Sequence, residues 1–207
     1  MSDISLDFFT VPVMFAIAAI FVSLIRYGTY LWSIYLGQTR PHVFSWFNWG
    51  TVTAIGAYAQ FELEGGPSAW VLAVVASTCF FISGVALFIG EKQITRGDWA
   101  AFLGALMAIP VWILTDNPVM ALLVIILIDV LTYYPTIRKS WLDPWGEPPI
   151  SYFWAGLRYF LALFAVEDPS WDTLIYPFFL MATDWGFAVY VYLRRRLLEA
   201  RGLSAPV

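Results

Sequence analysis

The chain has 207 residues, of which 60% are hydrophobic and 13% charged, and its 15 acidic and 11 basic side chains give a formal net charge of −4. Its mean hydropathy is +0.72. Too few charged groups are present to cover that much apolar surface in water, so a soluble enzyme is excluded and an integral membrane protein is expected. The acidic balance also offers no basic surface for nucleic acid.

The N-terminal stretch Met1-Ser-Asp3-Ile-Ser-Leu-Asp7 is acidic where a secretory signal is basic, and no small-residue cleavage site follows it, so it is expected to be mature sequence. Apolar segments of spanning length then fall at 9–35, 43–61, 68–90, 99–115, 118–137, 150–166 and 173–193. The fold expected is therefore all-α, with seven transmembrane helices. The fourth segment is short and Ala-rich, and the sequence on either side of it is related. Arg26-Tyr-Gly-Thr29-Tyr30 lies over Asp129-Val-Leu-Thr132-Tyr133 at an offset of 103 residues, and Ser45-Trp-Phe47 lies over Ser151-Tyr-Phe153 at an offset of 106. This spacing predicts a 3+1+3 arrangement: a three-helix repeat over 9–90, a linker helix over 99–115, a second repeat over 118–193 and a tail over 194–207. An odd number of crossings between the repeats leaves them parallel.

Loop charges predict the orientation. Arg40, Lys92, Arg96, Arg138, Lys139, Arg194, Arg195, Arg196 and Arg201 share one side of this arrangement. The other side carries Asp3, Asp7, Glu62, Glu64, Asp116, Glu167, Asp168 and Asp172 and no lysine or arginine. The positive-inside rule then puts the N-terminus outside and the C-terminus in the cytoplasm, in a cell membrane of the bacterial inner-membrane type.

Several chemistries have no residues to run on. One histidine, His42, and one cysteine, Cys79, do not make a zinc or haem site, and no Gly-rich phosphate loop is present. Lys92 and Lys139 both fall in expected loops, away from any buried Schiff base. No nucleophile with its base is readable, so the chain is read as neither an enzyme nor a metal or cofactor protein.

What remains is an unusual set of ionisable residues far from the expected helix ends: Arg26, Asp129, Arg158 and Asp184. Each costs about 2.5 to 3.5 kcal/mol at a bilayer centre on insertion scales, so each must face the bundle interior. Helical spacing widens the charges into polar stripes, with Arg26, Tyr30 and Ser33 on one face, Asp129, Tyr133 and Thr136 on another, and Trp154 beside Arg158 on a third. The second segment adds Asn48 and Trp49, and Thr78 stands where the second repeat has Asp184. Two readings of the charges are open at this point: two internal salt bridges that lock the bundle, or a functional cavity. Because Arg26 and Asp129 occupy equivalent positions, Arg26 is the expected structural partner of Asp129, which leaves Asp184 as the more functional acid.

The run Tyr134-Pro135-Thr136-Ile-Arg138-Lys139, followed by Pro149-Ile-Ser151-Tyr152-Phe153, together with Arg40-Pro41-His-Val-Phe-Ser45-Trp46 in the first half, resembles the PQ-loop superfamily over nearly the whole chain. That superfamily includes the SWEET-like sugar transporters, their half-size bacterial relatives, cystinosin-like exporters and, more distantly, the PnuC-type vitamin transporters. The resemblance implies a hinge at Pro135, second-helix aromatics at Trp46, Trp49, Tyr152 and Trp154, and a polar substrate contact at Thr78 and Asp184. It also implies a carrier that moves a sugar, amino acid or nucleoside-like metabolite by alternating access. The substrate-binding set expected is Arg26, Tyr30, Asn48, Trp49, Thr78, Asp129, Tyr133, Trp154, Arg158 and Asp184. A second class is kept beside it: a non-transporting receptor or assembly subunit of the same fold that binds a peptide or a membrane protein. The partners expected are a small-molecule substrate and the lipid bilayer. A homo-oligomer is expected through the small-residue faces at Ser83-Gly84, Gly90, Ala100, Gly104 and Ala108.

Overall fold

The computed structural model describes residues 10–37, 41, 43–90, 96–107, 110, 114, 117–142, 144–146 and 149–203. His42, Lys92, Arg40, most of the stretch 108–116 and the two chain ends lie outside these residues, as do the side chains of Ser33, Pro135 and Thr136. Among the described residues the fold is all-α: α1 Val11–Tyr35, α2 Val43–Glu62, α3 Pro67–Ile89, α4 Arg96–Leu106, α5 Pro118–Leu142, α6 Pro149–Phe164 and α7 Trp171–Glu199, with a 3-10 turn at Pro144–Gly146.

Local chemistry sets the helix ends. Thr10 caps α1 by accepting from the Val13 amide, and Pro12 sits in the first turn, where a missing N–H costs nothing. Asn117 caps α5 by accepting from the Val119 and Met120 amides at 3.0 and 3.2 Å. Ser170 and Thr173 form a reciprocal capping box at the start of α7. The carboxyl end of α1 closes on Gly37 at φ +71°, whose amide bonds back to Ile34.

The fourth segment, expected over 99–115, forms α4 over Arg96–Leu106, and two further helix ends differ from the sequence expectation. Segment five does not stop at residue 137 but continues through Arg138 and Lys139 to Leu142, so Lys139 is helical rather than in a loop. The last helix runs on through Arg194–Arg196 to Glu199, and Arg194 and Arg195 have carbonyl partners described below.

Among the described residues three helices, α1, α3 and α7, are long and apolar enough to cross a membrane. Of the others, α2 buries Asn48, Thr51, Thr53 and Gln60, and α4 and α6 have 11 and 16 residues. Large apolar side chains face outward all along the three apolar helices, including Met14, Phe21 and Leu24, then Phe81 and Phe88, then Phe178 and Val189. A surface of that kind is a liability in water and ordinary against lipid.

Within the bundle, α3 packs on both α1 and α2, and α7 packs on both α5 and α6. Further contacts join α1 to α6, α2 to α5, and α4 to α2 and α5. On α1 the buried stripe is Val13, Ala16, Ala19, Ser23, Tyr27 and Ile34, the spacing of a single helix face. Its alanines meet Val71, Ala162 and Ala165, small residues that let α1, α3 and α6 approach closely. A larger core of Val52, Ile55, Leu72, Leu122, Ile125, Tyr159 and Tyr176 joins α2, α3, α5, α6 and α7. Close approach also recurs at two glycines: a Cβ on Gly50 would meet the Phe80 ring at 2.8 Å, and a Cβ on Gly156 would run into the Trp185 indole.

Candidate functional site

Arg158 is the hub of the buried polar groups. It stands in the middle of α6 on the face that also holds Ala155 and Ala162, whose small side chains bring α1 near enough for Tyr27 to reach it. Only 4% of Arg158 is exposed. Nη1 donates to the Tyr27 hydroxyl at 2.7 Å and Nη2 to the Tyr159 hydroxyl at 3.0 Å. The guanidinium also lies over both rings, 5.3 Å from the Tyr27 centroid and 4.4 Å from that of Tyr159. A cation buried this deeply keeps its charge only if strong acceptors and ring faces replace water, and the two phenols supply both. Tyr27 reaches on to the Cys79 sulfur on α3 at 3.8 Å, while Nε of Arg158 has no partner among the described residues.

The two acids lie on the other side of this hub. Asp184, 7% exposed, accepts a 2.8 Å hydrogen bond from the Tyr133 hydroxyl, tying α5 to α7, and it sits in the field of both Arg26 and Arg158. Asp129, 4% exposed, has Asp184 and the Tyr176 hydroxyl as its electrostatic neighbours. Among the described residues neither arginine forms an ion pair with a carboxylate. The two locking salt bridges considered from the sequence are therefore not formed there: Arg158 bonds the phenols of Tyr27 and Tyr159, and Asp184 accepts from Tyr133. Nor does Arg26 serve Asp129. The buried stripe of α1 runs through Tyr27, which leaves Arg26 half-buried over the Tyr27 ring at 5.4 Å and acting on Asp184.

The remaining sequence-selected residues divide. Tyr30 accepts from the Trp46 indole at 3.2 Å with the rings 4.8 Å apart, and Trp49 stands at right angles to Trp46 at 5.4 Å with part of its face exposed. This aromatic group borders the hub through Tyr27, whose ring meets Trp46 edge-on. Asn48 is buried with an Oδ1 that has no partner among the described residues. Thr78 turns its hydroxyl to the Val74 carbonyl of its own helix, and Trp154 rests against Phe153. The structure thus gathers Asp129, Tyr133, Arg158 and Asp184 into one network with Arg26 at its edge. Tyr30 and Trp49 belong to an adjoining aromatic group, and Thr78 and Trp154 are engaged locally.

Three tyrosines of this network were missed in the sequence: Tyr27, Tyr159 and Tyr176. A signal for two of them is present, since Arg26 and Arg158, the arginines within apolar runs, are each followed directly by a tyrosine, Arg26-Tyr27 and Arg158-Tyr159. The hub takes both phenols. Chemically the network offers a caged cation, two carboxylates and several phenolic donors, and no group of three or more His, Cys, Asp or Glu among the described residues could hold a metal ion.

Comparison with protein-family models, with curated proteins and with solved structures finds no match to this chain.

Proposed function

We propose that the chain is a membrane carrier for a small polar metabolite, a sugar, amino acid or nucleoside-like molecule, moved by alternating access around the Arg158–Asp184 network. The observation that carries this reading is the burial of one arginine and two carboxylates, each 7% exposed or less, where helices from both ends of the chain meet. Ionisable groups at such depth are expensive and mark solute paths far more often than they strengthen a bundle. A network held by tyrosine hydroxyls rather than by ion pairs suits exchange, because a solute's own polar groups replace phenols at modest cost.

The packing supports the 3+1+3 repeat on which the reading rests. If α1, α2 and α3 correspond to α5, α6 and α7, then the α1–α3 and α2–α3 contacts map onto α5–α7 and α6–α7, and α1–α6 maps onto α2–α5. The glycines fit as well: Gly50 and Gly156 are 106 residues apart, the offset of Ser45 and Ser151, and each receives an aromatic ring from the last helix of its own half. In this reading all seven helices cross the membrane, the N-terminus is outside and the C-terminus cytoplasmic, and the solute binds between the halves.

The test is uptake by proteoliposomes across a panel of sugars, amino acids and nucleosides, with and without a pH gradient. Saturable uptake of one class is expected. A flat result across the panel, together with a membrane protein that co-purifies at fixed stoichiometry, would overturn the carrier reading in favour of a receptor or assembly subunit.

A further inference from the structure

Pro177 lies buried inside α7 and has no N–H to give the Thr173 carbonyl one turn before it. That carbonyl takes a donor from another helix instead, Nε2 of Gln60 near the end of α2. We infer that Gln60 and Pro177 form a releasable latch between the two halves of the chain: while the bond holds, the first turns of α7 are fixed to α2, and when it parts α7 bends at Pro177.

Three observations carry the inference. The first is the match of the bond to the break. In an unbroken helix the amide of residue 177 would serve the Thr173 carbonyl. The carbonyl that Pro177 leaves without this helical donor is the one that Gln60 reaches, from 113 residues away in sequence. A proline inside a helix is also where the helix kinks.

The second is how Gln60 is held. It is 0% exposed, its backbone carbonyl accepts from the Gly65 amide at 2.8 Å, and its Oε1 lies so close over Gly65 that a Cβ there would collide with it. One turn earlier on α2, Gly56 admits the buried ring of Tyr176, the residue before Pro177. The α2 face is thus shaped to meet α7 at the break, by a glycine that admits a ring and a glutamine that reaches a carbonyl.

The third is the imbalance within the Gln60 amide. Oε1 is buried with no hydrogen-bond partner among the described residues, so only half of the amide is satisfied. A buried oxygen left unpaired offsets much of what the Nε2 bond contributes. Such a contact aligns two elements and lets them part at little cost, which suits a latch better than a brace. The segments on either side of the break are distinct: the start of α7 is tied to its own cap through Ser170 and Thr173, while Asp184 lies two turns beyond Pro177 on the same face. In the carrier reading, on which its use in transport rests, the latch holds α2 and α7 together at one end of the solute path.

The test reads the separation of α2 and α7 directly. Spin labels at Glu62→Cys and Asp172→Cys, exposed positions at the two helix ends, are measured by double electron–electron resonance in proteoliposomes, in a chain whose own Cys79 is buried. Gln60→Met keeps the side-chain length and removes the donor. It is expected to raise the ratio of long to short distances about two- to tenfold, the worth of one neutral hydrogen bond. Where thermal unfolding shows that this variant does not fold, Gly65→Ala carries the test with the same expectation, because its methyl displaces the Gln60 amide and leaves the residue in place. Pro177→Ala returns to Thr173 its helical donor and stiffens α7, so adding Gln60→Met to it is expected to leave the distances unchanged. An unchanged ratio in Gln60→Met, or in Gly65→Ala where it stands in, would overturn the proposal. So would a shift of equal size with and without Pro177, the mark of a merely structural glutamine. No solute is needed, so the two readings fail separately: flat uptake with a Pro177-dependent shift keeps the latch, and saturable uptake with unmoved distances removes the latch alone.

Discussion

Tyr27 is the residue on which the central network turns, since it gives a hydroxyl and a ring face to Arg158 and also touches Cys79 and Trp46. Replacing it with phenylalanine keeps the ring and removes the bond to Nη1. The expected cost is about 0.6 to 2 kcal/mol of stability, measured by unfolding in a detergent titration, and it disappears in a double-mutant cycle with Arg158→Lys. A Tyr27→Phe variant with unchanged stability and unchanged uptake would show that the hydroxyl is idle. For Asp184, the asparagine variant retains an acceptor for Tyr133 but loses the charge that faces Arg26 and Arg158. Uptake is expected to fall at least about tenfold with the fold intact, a barrier change near 1.4 kcal/mol, and more steeply than for Asp129→Asn. The reverse order would assign the solute to Asp129. The four charges were legible in the sequence because ionisable groups within apolar runs have few alternatives to burial. Their partners were not, since a phenol serves equally as anchor, core or ligand, and only the face presented by α1 distinguishes Tyr27 from Tyr30.

At the scale of helices, the sequence pattern located the seven segments well and misjudged their ends. A proline and a basic pair look like a terminus at Pro135 to Lys139, yet α5 continues to Leu142. The reason lies in a neighbouring helix. Arg194 donates to the Trp141 carbonyl at 3.0 and 3.2 Å and stacks on the Trp141 ring at 4.0 Å, while Arg195 bonds the carbonyls of Pro144 and Trp145. These bonds satisfy carbonyl groups at the end of α5 and in the turn after it, a tertiary effect that no local pattern encodes. Replacing both arginines with glutamine is expected to speed proteolysis between α5 and α6 several-fold while leaving the outer face protected. Glycines give a sharper comparison. Gly156→Ala drives a methyl into the Trp185 indole and is expected to cost about 1 to 3 kcal/mol. Gly84 has nothing within 4 Å of its added Cβ, so Gly84→Ala is expected to gain about 0.5 to 1 kcal/mol through helix propensity. A loss at Gly84 instead would show that a second copy of the chain packs there.

For the molecule as a whole, the proposed orientation puts the N-terminus outside and the C-terminus in the cytoplasm, and labelling tests it. Its lone cysteine, Cys79, is buried, so the natural chain is a nearly silent background for single-cysteine labelling. An Asp168→Cys variant is expected to react with an impermeant maleimide added outside intact cells, and Arg201→Cys only after the cells are opened. Labelling of both from outside, or of Asp168→Cys only after opening, would reverse or break the orientation proposed from loop charge.

The unequal lengths of α6 and α7, which pack side by side, bear on the lipid itself. With 16 residues α6 rises about 24 Å, against a hydrocarbon slab of about 30 Å, while the 29 residues of α7 rise about 44 Å. In the seven-span reading proposed above, a bilayer wrapped around this pair is expected to pinch inward beside α6, the helix that carries Arg158. Acyl-chain length thereby becomes a control on the buried charge: reconstitution in shorter-chain lipid relieves the deformation, and thicker membranes penalise the protein by fractions of a kcal/mol per Å of mismatch.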